Sequence, residues 1–167
     1  MARAALHELK LDRVLWMPTG TPRYRKAPIA SAEHRLAMLK LALAGEPRYA
    51  IDARELAPGA APYAVDTLQS LRAELGPDVP LYFLLGGDQY AKFETWQRPR
   101  EVERLARIAV FSRPGFELKE KNVLTVPMDP MPISASDIRA RAARGEDLSG
   151  LVPPAVANYI ARHRLYA

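Results

Sequence analysis

Short apolar runs alternate along this chain with segments of helical periodicity, and this alternation constrains the fold more than any other feature. The unbroken apolar runs at residues 14–17, 81–85 and 108–111 are typical of strands buried on both faces. Segments with one apolar side, such as residues 31–44 and 65–75, predict the helices between them. We therefore predict an α/β fold in which a parallel sheet carries helices on both faces.

Length and composition limit the possible classes of protein. The 167 residues fit one domain of ordinary size. No apolar stretch approaches the ~20 residues that a membrane span needs, and the charged N-terminus does not resemble a secretory signal. The absence of cysteine excludes disulfides, thiolate catalysis and cysteine-bound zinc. We expect a cytoplasmic protein without a membrane partner, and its oligomeric state cannot be predicted.

The net charge of +5 suits a partner that is rich in phosphate. Like charges do not gather into blocks of about five or more, so a nucleic-acid-binding tail is not indicated. Four residues of the loop after the first apolar run form a cluster that could clamp phosphates, and the alternative is a solvated loop: Arg23, Tyr24, Arg25 and Lys26. The three histidines have no mutual spacing that suggests a metal site.

The glycine pair Gly86-Gly87 and the following Asp88 come directly after the best strand candidate. Ligands of open α/β sheets bind beyond the carboxyl ends of the strands. The glycines would let a nucleotide approach the backbone, and Asp88 would accept from a ribose or amide group. The alternative is a tight turn in which Asp88 caps the next helix.

The segment from Ser134 to Arg139 predicts a helix start that is suited to phosphate. Ser134 is a good N-cap, and Asp137 at the third helical position completes a capping box. Ser136 and Arg139 are three residues apart, so they share one helix face. A hydroxyl, unsatisfied N–H groups, the positive helix end and a guanidinium then converge. On spacing alone, a simple capping box explains the segment equally well.

Trp96 lies among polar neighbours in the sequence. A single tryptophan is more often part of a core, but these surroundings also suit a stacking surface for a ligand ring.

Taken in order, several segments resemble the bacterial nicotinate-nucleotide adenylyltransferases of the nucleotidyltransferase superfamily. The segments are residues 31–39 (SAEHRLAML), 52–56 (DAREL), 62–68 (PYAVDTL), 84–88 (LLGGD), 95–96 (TW), 112–115 (SRPG), 133–139 (ISASDIR) and 151–156 (LVPPAV). Each motif alone is unspecific, whereas the ordered set is specific and covers nearly the whole chain. The resemblance implies a Rossmann-like parallel sheet.

The resemblance also implies an activity and a set of site residues. The family transfers the adenylyl group of ATP, together with Mg²⁺, to nicotinate mononucleotide and releases pyrophosphate. The implied ATP-binding residues are Ser134, Ser136, Arg139 and Arg113. The implied catalytic residues are Arg139 and Lys26, and the implied nicotinate-nucleotide-binding residues are Tyr63, Thr67, Asp88 and Trp96.

The family's N-terminal glycine-rich loop ending in His-x-Gly-His has no counterpart in this sequence. We therefore expect a single nucleotidyltransferase-like domain over residues 1–167 that is N-terminally incomplete and lacks its first strand. Two alternatives stay open. One is a short chain that binds nucleotides without transferring the adenylyl group. The other is a basic RNA-binding module, which would need aromatic side chains interleaved with the arginines.

Overall fold

The computed structural model describes residues 1–20, 29–112, 123–128 and 132–167. The strands in this part of the chain are β1 (Val14–Trp16), β2 (Tyr49–Ile51), β3 (Tyr82–Gly86), β4 (Arg107–Phe111) and β5 (Leu124–Val126). The α-helices are α1 (Ala2–Glu8), α2 (Ala32–Leu43), α3 (Ala64–Leu75), α4 (Gly87–Tyr90), α5 (Pro99–Leu105), α6 (Ala135–Ala143) and α7 (Pro154–Arg162). Short 3-10 turns lie at Arg54–Leu56 and Phe93–Thr95.

The helix ends follow local sequence signals. Ser31 caps α2, because its Oγ accepts from the backbone N–H of His34 at 3.4 Å. Gly76 and Gly145 follow α3 and α6 with φ angles of +82° and +67°, a conformation that favours glycine. These ends lie within about two residues of those predicted from sequence. None of the described helices combines the length and the apolar character that a membrane crossing requires.

The described strands pair in two sheets, one of β1 and β2 and one in the order β3–β4–β5. Both pairings of the three-stranded sheet are parallel, and the register places Leu84 opposite Ala109 and Val110 opposite Thr125. The predicted α/β fold with parallel strands and flanking helices is confirmed. The described strands do not, however, form the single sheet that we expected, since alternation indicates that strands exist without indicating which of them pair.

The chain divides into two compact units, which we describe separately. The first unit comprises residues 1–14 and 61–130, and the second comprises residues 15–60 and 131–167. In the first unit, α1 packs on β5 and α3 packs on α5. Its core contains Ala109, Phe111 and Val126, each with an exposed fraction of 0%. Residues 108–111 of β4 are all buried, as their unbroken apolar run predicts.

The burial predicted for the first apolar run is wrong. Val14 is buried, but the next residue, Leu15, is 37% exposed. In the described part of the chain, β1 has β2 as its strand neighbour and belongs to no larger sheet. A side chain on one face of so small a sheet can remain in contact with solvent.

The second unit is built around the packing of α2 against α7. Leu148, Val156 and Ile160 form its buried cluster. A polar contact also joins the two helices, because His34 Nδ1 lies 3.0 Å from Tyr159 Oη. His34 therefore has a structural partner in the folded chain.

Candidate functional site

The start of α6, in the second unit, has the capping geometry that its sequence predicts. Ser134 is the N-cap, and its Oγ accepts from the backbone N–H of Asp137 at 3.2 Å. The Asp137 carboxylate accepts from Arg141 Nε at 2.9 Å, one turn further along the helix. The serine half of the predicted capping box is confirmed, while the carboxylate contact runs along the helix surface.

Ser136 and Arg139 meet on one face of α6. Arg139 Nη2 donates to Ser136 Oγ at 3.1 Å, which confirms that the three-residue spacing brings them together. Ser134 and Ser136 are exposed and Arg139 is half-buried. A hydroxyl, a guanidinium and the positive end of a helix thus lie within the first turns of α6. This combination suits a phosphate group.

The glycine pair lies where β3 passes into α4, in the first unit. Gly86 ends β3 and is the N-cap of α4, with a φ of −75°, and both Gly86 and Gly87 are buried. Asp88 is the second residue of α4 and is exposed. The alternative in which Asp88 caps this helix is therefore wrong. Glycine at a buried strand end leaves the backbone open to close approach by a ligand.

Trp96 packs against aromatic side chains of the first unit. Its ring centroid lies 6.0 Å from that of Phe83 and 5.6 Å from that of Phe93. Phe83 belongs to β3 and is distant in sequence, so the polar sequence neighbours of Trp96 gave a misleading picture of its surroundings. Trp96 is only partly buried, so part of its ring is accessible to a ligand. Its role as a stacking surface stays a prediction.

Tyr63 and Thr67 lie at the start of α3, also in the first unit. Tyr63 is the N-cap residue and is 37% exposed, whereas Thr67 is 9% exposed. The backbone N–H of Thr67 donates to the carbonyl oxygen of Tyr63 at 3.4 Å. Of the two side chains, that of Tyr63 is the more accessible to a ligand.

Sequence reasoning missed the ion pair that fixes this start of α3. Arg98 Nη2 donates to Asp66 Oδ1 at 2.5 Å, and its Nη1 donates to Glu101 at 3.1 Å. Arg98 is the N-cap of α5 and has a φ of +51°. The pair links α3 to α5 across 32 residues, a separation at which no local periodicity could have indicated it.

The predicted site residues fall into three groups. Lys26 and Arg113 lie outside the described residues, as do Arg23, Tyr24 and Arg25. Ser134, Ser136 and Arg139 belong to the second unit, whereas Tyr63, Thr67, Asp88 and Trp96 belong to the first. Of the four predicted ATP-binding residues, the three that the structure describes lie together within the first turns of α6.

A resident metal site does not emerge from the described residues. Within residues 1–20, 29–112, 123–128 and 132–167, histidine, aspartate and glutamate side chains form no group of three or more that could hold a metal ion.

Known proteins resemble this chain over nearly its whole length. A family model described as cytidylyltransferase-like matches residues 1–141. A probable nicotinate-nucleotide adenylyltransferase of Laribacter hongkongensis is 41% identical over an alignment that covers 99% of this chain and 86% of that protein. One of Bordetella petrii is 42% identical, with 99% of this chain and 89% of the relative covered. This chain belongs to the nicotinate-nucleotide adenylyltransferase family.

Solved structures agree with this membership at the level of the fold. The Plasmodium falciparum nicotinic acid mononucleotide adenylyltransferase complexed with NaAD superposes with a TM-score of 0.73 and 17% identity, covering 93% of this chain and 83% of its own. The same enzyme complexed with APC gives a TM-score of 0.68. The resemblance inferred from the ordered motifs is confirmed, and this member of the nicotinate-nucleotide adenylyltransferase family has the α/β fold of nucleotidyltransferases.

Proposed function

We propose that this protein transfers the adenylyl group of ATP to nicotinate mononucleotide, giving nicotinate adenine dinucleotide and pyrophosphate in cytoplasmic NAD biosynthesis. The observation that supports this most strongly is the 41% identity, over 99% of the chain, to a relative named for that activity. We also propose that residues 1–167 act as a single nucleotidyltransferase-like domain, with ATP and nicotinate mononucleotide as its partners.

The proposed reaction needs no covalent residue on the protein. An oxygen of the mononucleotide phosphate attacks the α-phosphorus of ATP. The bond between this phosphorus and the oxygen bridging to the β-phosphate breaks, and pyrophosphate leaves with the electron pair. The protein's task is to align two polyanions and to offset the charge that develops on the leaving group.

The start of α6 is the proposed ATP-binding region. Ser134, Ser136 and Arg139 would hold the phosphates, with Arg113 as a further ligand. The bond from Arg139 to Ser136 at 3.1 Å supports this role, because it orients the guanidinium before a ligand arrives. Arg139 and Lys26 would offset the charge on the leaving pyrophosphate. Mg²⁺ enters as part of the substrate, bound to the triphosphate.

The proposed nicotinate-nucleotide-binding residues lie in the first unit. The exposed ring of Tyr63 and the accessible part of Trp96 offer aromatic surface to the pyridine ring. The exposed carboxylate of Asp88 would accept from a ribose hydroxyl. Thr67 is buried, so its proposed contribution is to shape the start of α3 beside the ligand.

The test compares two arginines on the same helix. Arg139→Ala should lower the rate of dinucleotide formation by roughly 100-fold, the usual effect of removing one group that stabilises transition-state charge. Arg141→Ala, the matched control, removes the partner of Asp137 and should keep the rate within about twofold. An unchanged rate in Arg139→Ala would refute the proposed role of α6.

Calorimetry of ATP binding to the unaltered chain, combined with an assay for dinucleotide product, distinguishes the transferase from a chain that only binds nucleotides. Binding without any dinucleotide product would favour a chain that binds nucleotides and transfers nothing. The third possibility, an RNA-binding module, predicts salt-dependent oligonucleotide binding, and none of the relatives cited above carries a name of that kind.

A further inference from the structure

Two contacts within the second unit fix the chain just after β1. Arg35, on α2, donates from Nη1 to the carbonyl oxygen of Thr19 at 2.6 Å. The next residue, Gly20, packs so closely against the 3-10 turn Arg54–Leu56 that an added Cβ would overlap the carbonyl oxygen of Glu55. We call this pair of contacts, at Thr19 and Gly20, the β1 exit latch.

The turn on which Gly20 rests is itself fixed. Asp52 follows β2 directly, and its Oδ1 accepts from the backbone N–H of Arg54 at 3.0 Å. Its Oδ2 accepts from Arg54 Nε at 2.7 Å. The two side chains are only 18% and 26% exposed, so the pair is largely shielded from water. A charge-assisted contact of this geometry holds the turn rigidly beneath Gly20.

Two buried donors close to the end of β1 have no acceptor in the described part of the chain. They are Trp16 Nε1, on the last residue of the strand, and Arg35 Nε. Nor does any described carboxylate pair with the Arg35 guanidinium, which donates instead to the carbonyl oxygen of Thr19. A buried N–H donor without an acceptor costs free energy of folding. Native proteins tolerate such donors mainly at functional sites.

We propose that Arg35 is a positioning residue for ATP, acting through the β1 exit latch. Ligands of open α/β sheets bind beyond the carboxyl ends of the strands, and Thr19 and Gly20 lie beyond the carboxyl end of β1. A backbone held in place before binding lowers the cost of ordering it when the ligand arrives. This assignment rests on the proposed function. It adds roles for Arg35 and Gly20, two residues to which the proposed function gives none.

ATP is the expected ligand because α6, the proposed phosphate-binding helix, belongs to the same unit as the latch. Calorimetry on the full chain with Mg²⁺ and ATP tests this with two independent variants. Arg35→Met removes the bond to Thr19, and Gly20→Ala forces the chain away from Glu55. Each should weaken ATP binding about tenfold, while the affinity for nicotinate mononucleotide changes less than about twofold. The matched control, Arg48→Met, alters an arginine that is 54% exposed and should bind as the unaltered chain does.

Two further variants separate positioning from charge and from stability. Arg35→Lys keeps the charge but lacks the Nη1 donor that reaches the carbonyl oxygen of Thr19, so it should weaken ATP binding as Arg35→Met does. Full recovery of affinity in Arg35→Lys would overturn the assignment in favour of a charge effect. Gly45→Ala strains a glycine that has a φ of +89° and open space around it, so it should lower the melting temperature without changing ATP affinity.

The outcomes also separate this assignment from the proposed function. If the latch variants melt earlier yet bind ATP as the unaltered chain does, the latch is purely structural and the assignment fails alone. If the unaltered chain binds neither nucleotide, the proposed function fails and the assignment falls with it. Hydrogen exchange over residues 14–20 should be faster in Arg35→Met than in Arg48→Met, and equal rates would refute the latch without reference to any ligand.

Discussion

Arg72 ties the C-terminal end of α3 to its surroundings through four backbone carbonyls. Its Nη1 lies 2.9 Å from Gly76 O, 3.2 Å from Pro77 O and 2.7 Å from Val79 O. Its Nη2 donates to the carbonyl oxygen of Leu105, the last residue of α5, at 2.6 Å. One side chain thus satisfies the end of one helix, the following loop and the end of a second helix.

The cost of removing this guanidinium can be worked from the four bonds. Arg72→Met keeps much of the apolar stem and deletes every donor. The bonds to Gly76 and Leu105 are partly buried, and each should contribute roughly 1.5 kcal/mol, the low end for a charged donor. The two exposed carbonyls regain water and should contribute little. The free energy of unfolding should fall by about 3 kcal/mol, which lowers the melting temperature of a chain this long by roughly 6–12 °C.

Urea unfolding followed by circular dichroism measures this change, and Arg104→Met is the matched control. Arg104 lies on α5 and is exposed, so its replacement should alter the free energy of unfolding by no more than about 0.5 kcal/mol. A loss below about 1 kcal/mol in Arg72→Met, or an equal loss in the control, would refute the reasoning.

Three further changes test separate parts of the structure. Phe93→Ala removes a ring that is 2% exposed and should cost about 3–5 kcal/mol of unfolding free energy in a denaturant titration, whereas a loss near zero would contradict its place in the core. Ser134→Ala removes the cap of α6 and should cost about 1 kcal/mol in the same titration, and an unchanged stability would mean that the cap does not form in solution. The hydroxyl and N–H of Ser149 hold the pKa of Asp147 below its ordinary value, so Ser149→Ala should raise this pKa in an NMR titration. Because the pKa of Asp147 is depressed in the folded state, the stabilisation is present above the unfolded pKa of about 3.9 and is lost as pH falls through the folded pKa. An unshifted pKa of Asp147 in Ser149→Ala would disprove the contact.

Local signals predicted the elements of the fold, because the determinants of helix ends and strand cores lie within a few residues. The Ser31 cap, the positive-φ glycine Gly76 and the apolar run of β4 are examples. Strand pairing could not be predicted, since it depends on contacts between residues far apart in the chain. The same limit explains the exposure of Leu15 and the aromatic surroundings of Trp96.

The same distinction between local and long-range contacts applies to the candidate site. The contact between Ser136 and Arg139 was predictable because three residues span one helical turn. The bond from Arg35 to Thr19 joins residues 16 apart, and the pair of Asp66 and Arg98 joins residues 32 apart. Neither follows from a period of 2 or 3.6 residues, so only the folded chain reveals them.

The central claim is adenylyl transfer from ATP to nicotinate mononucleotide, and isotope tracing tests it most directly. The full chain is incubated with Mg²⁺, nicotinate mononucleotide and ATP labelled at the α-phosphate, and the products are separated by chromatography. Our account predicts that the label enters nicotinate adenine dinucleotide, with one unlabelled pyrophosphate released for each dinucleotide formed. A folded chain that leaves the label in ATP, or releases it as AMP without dinucleotide, would contradict the account.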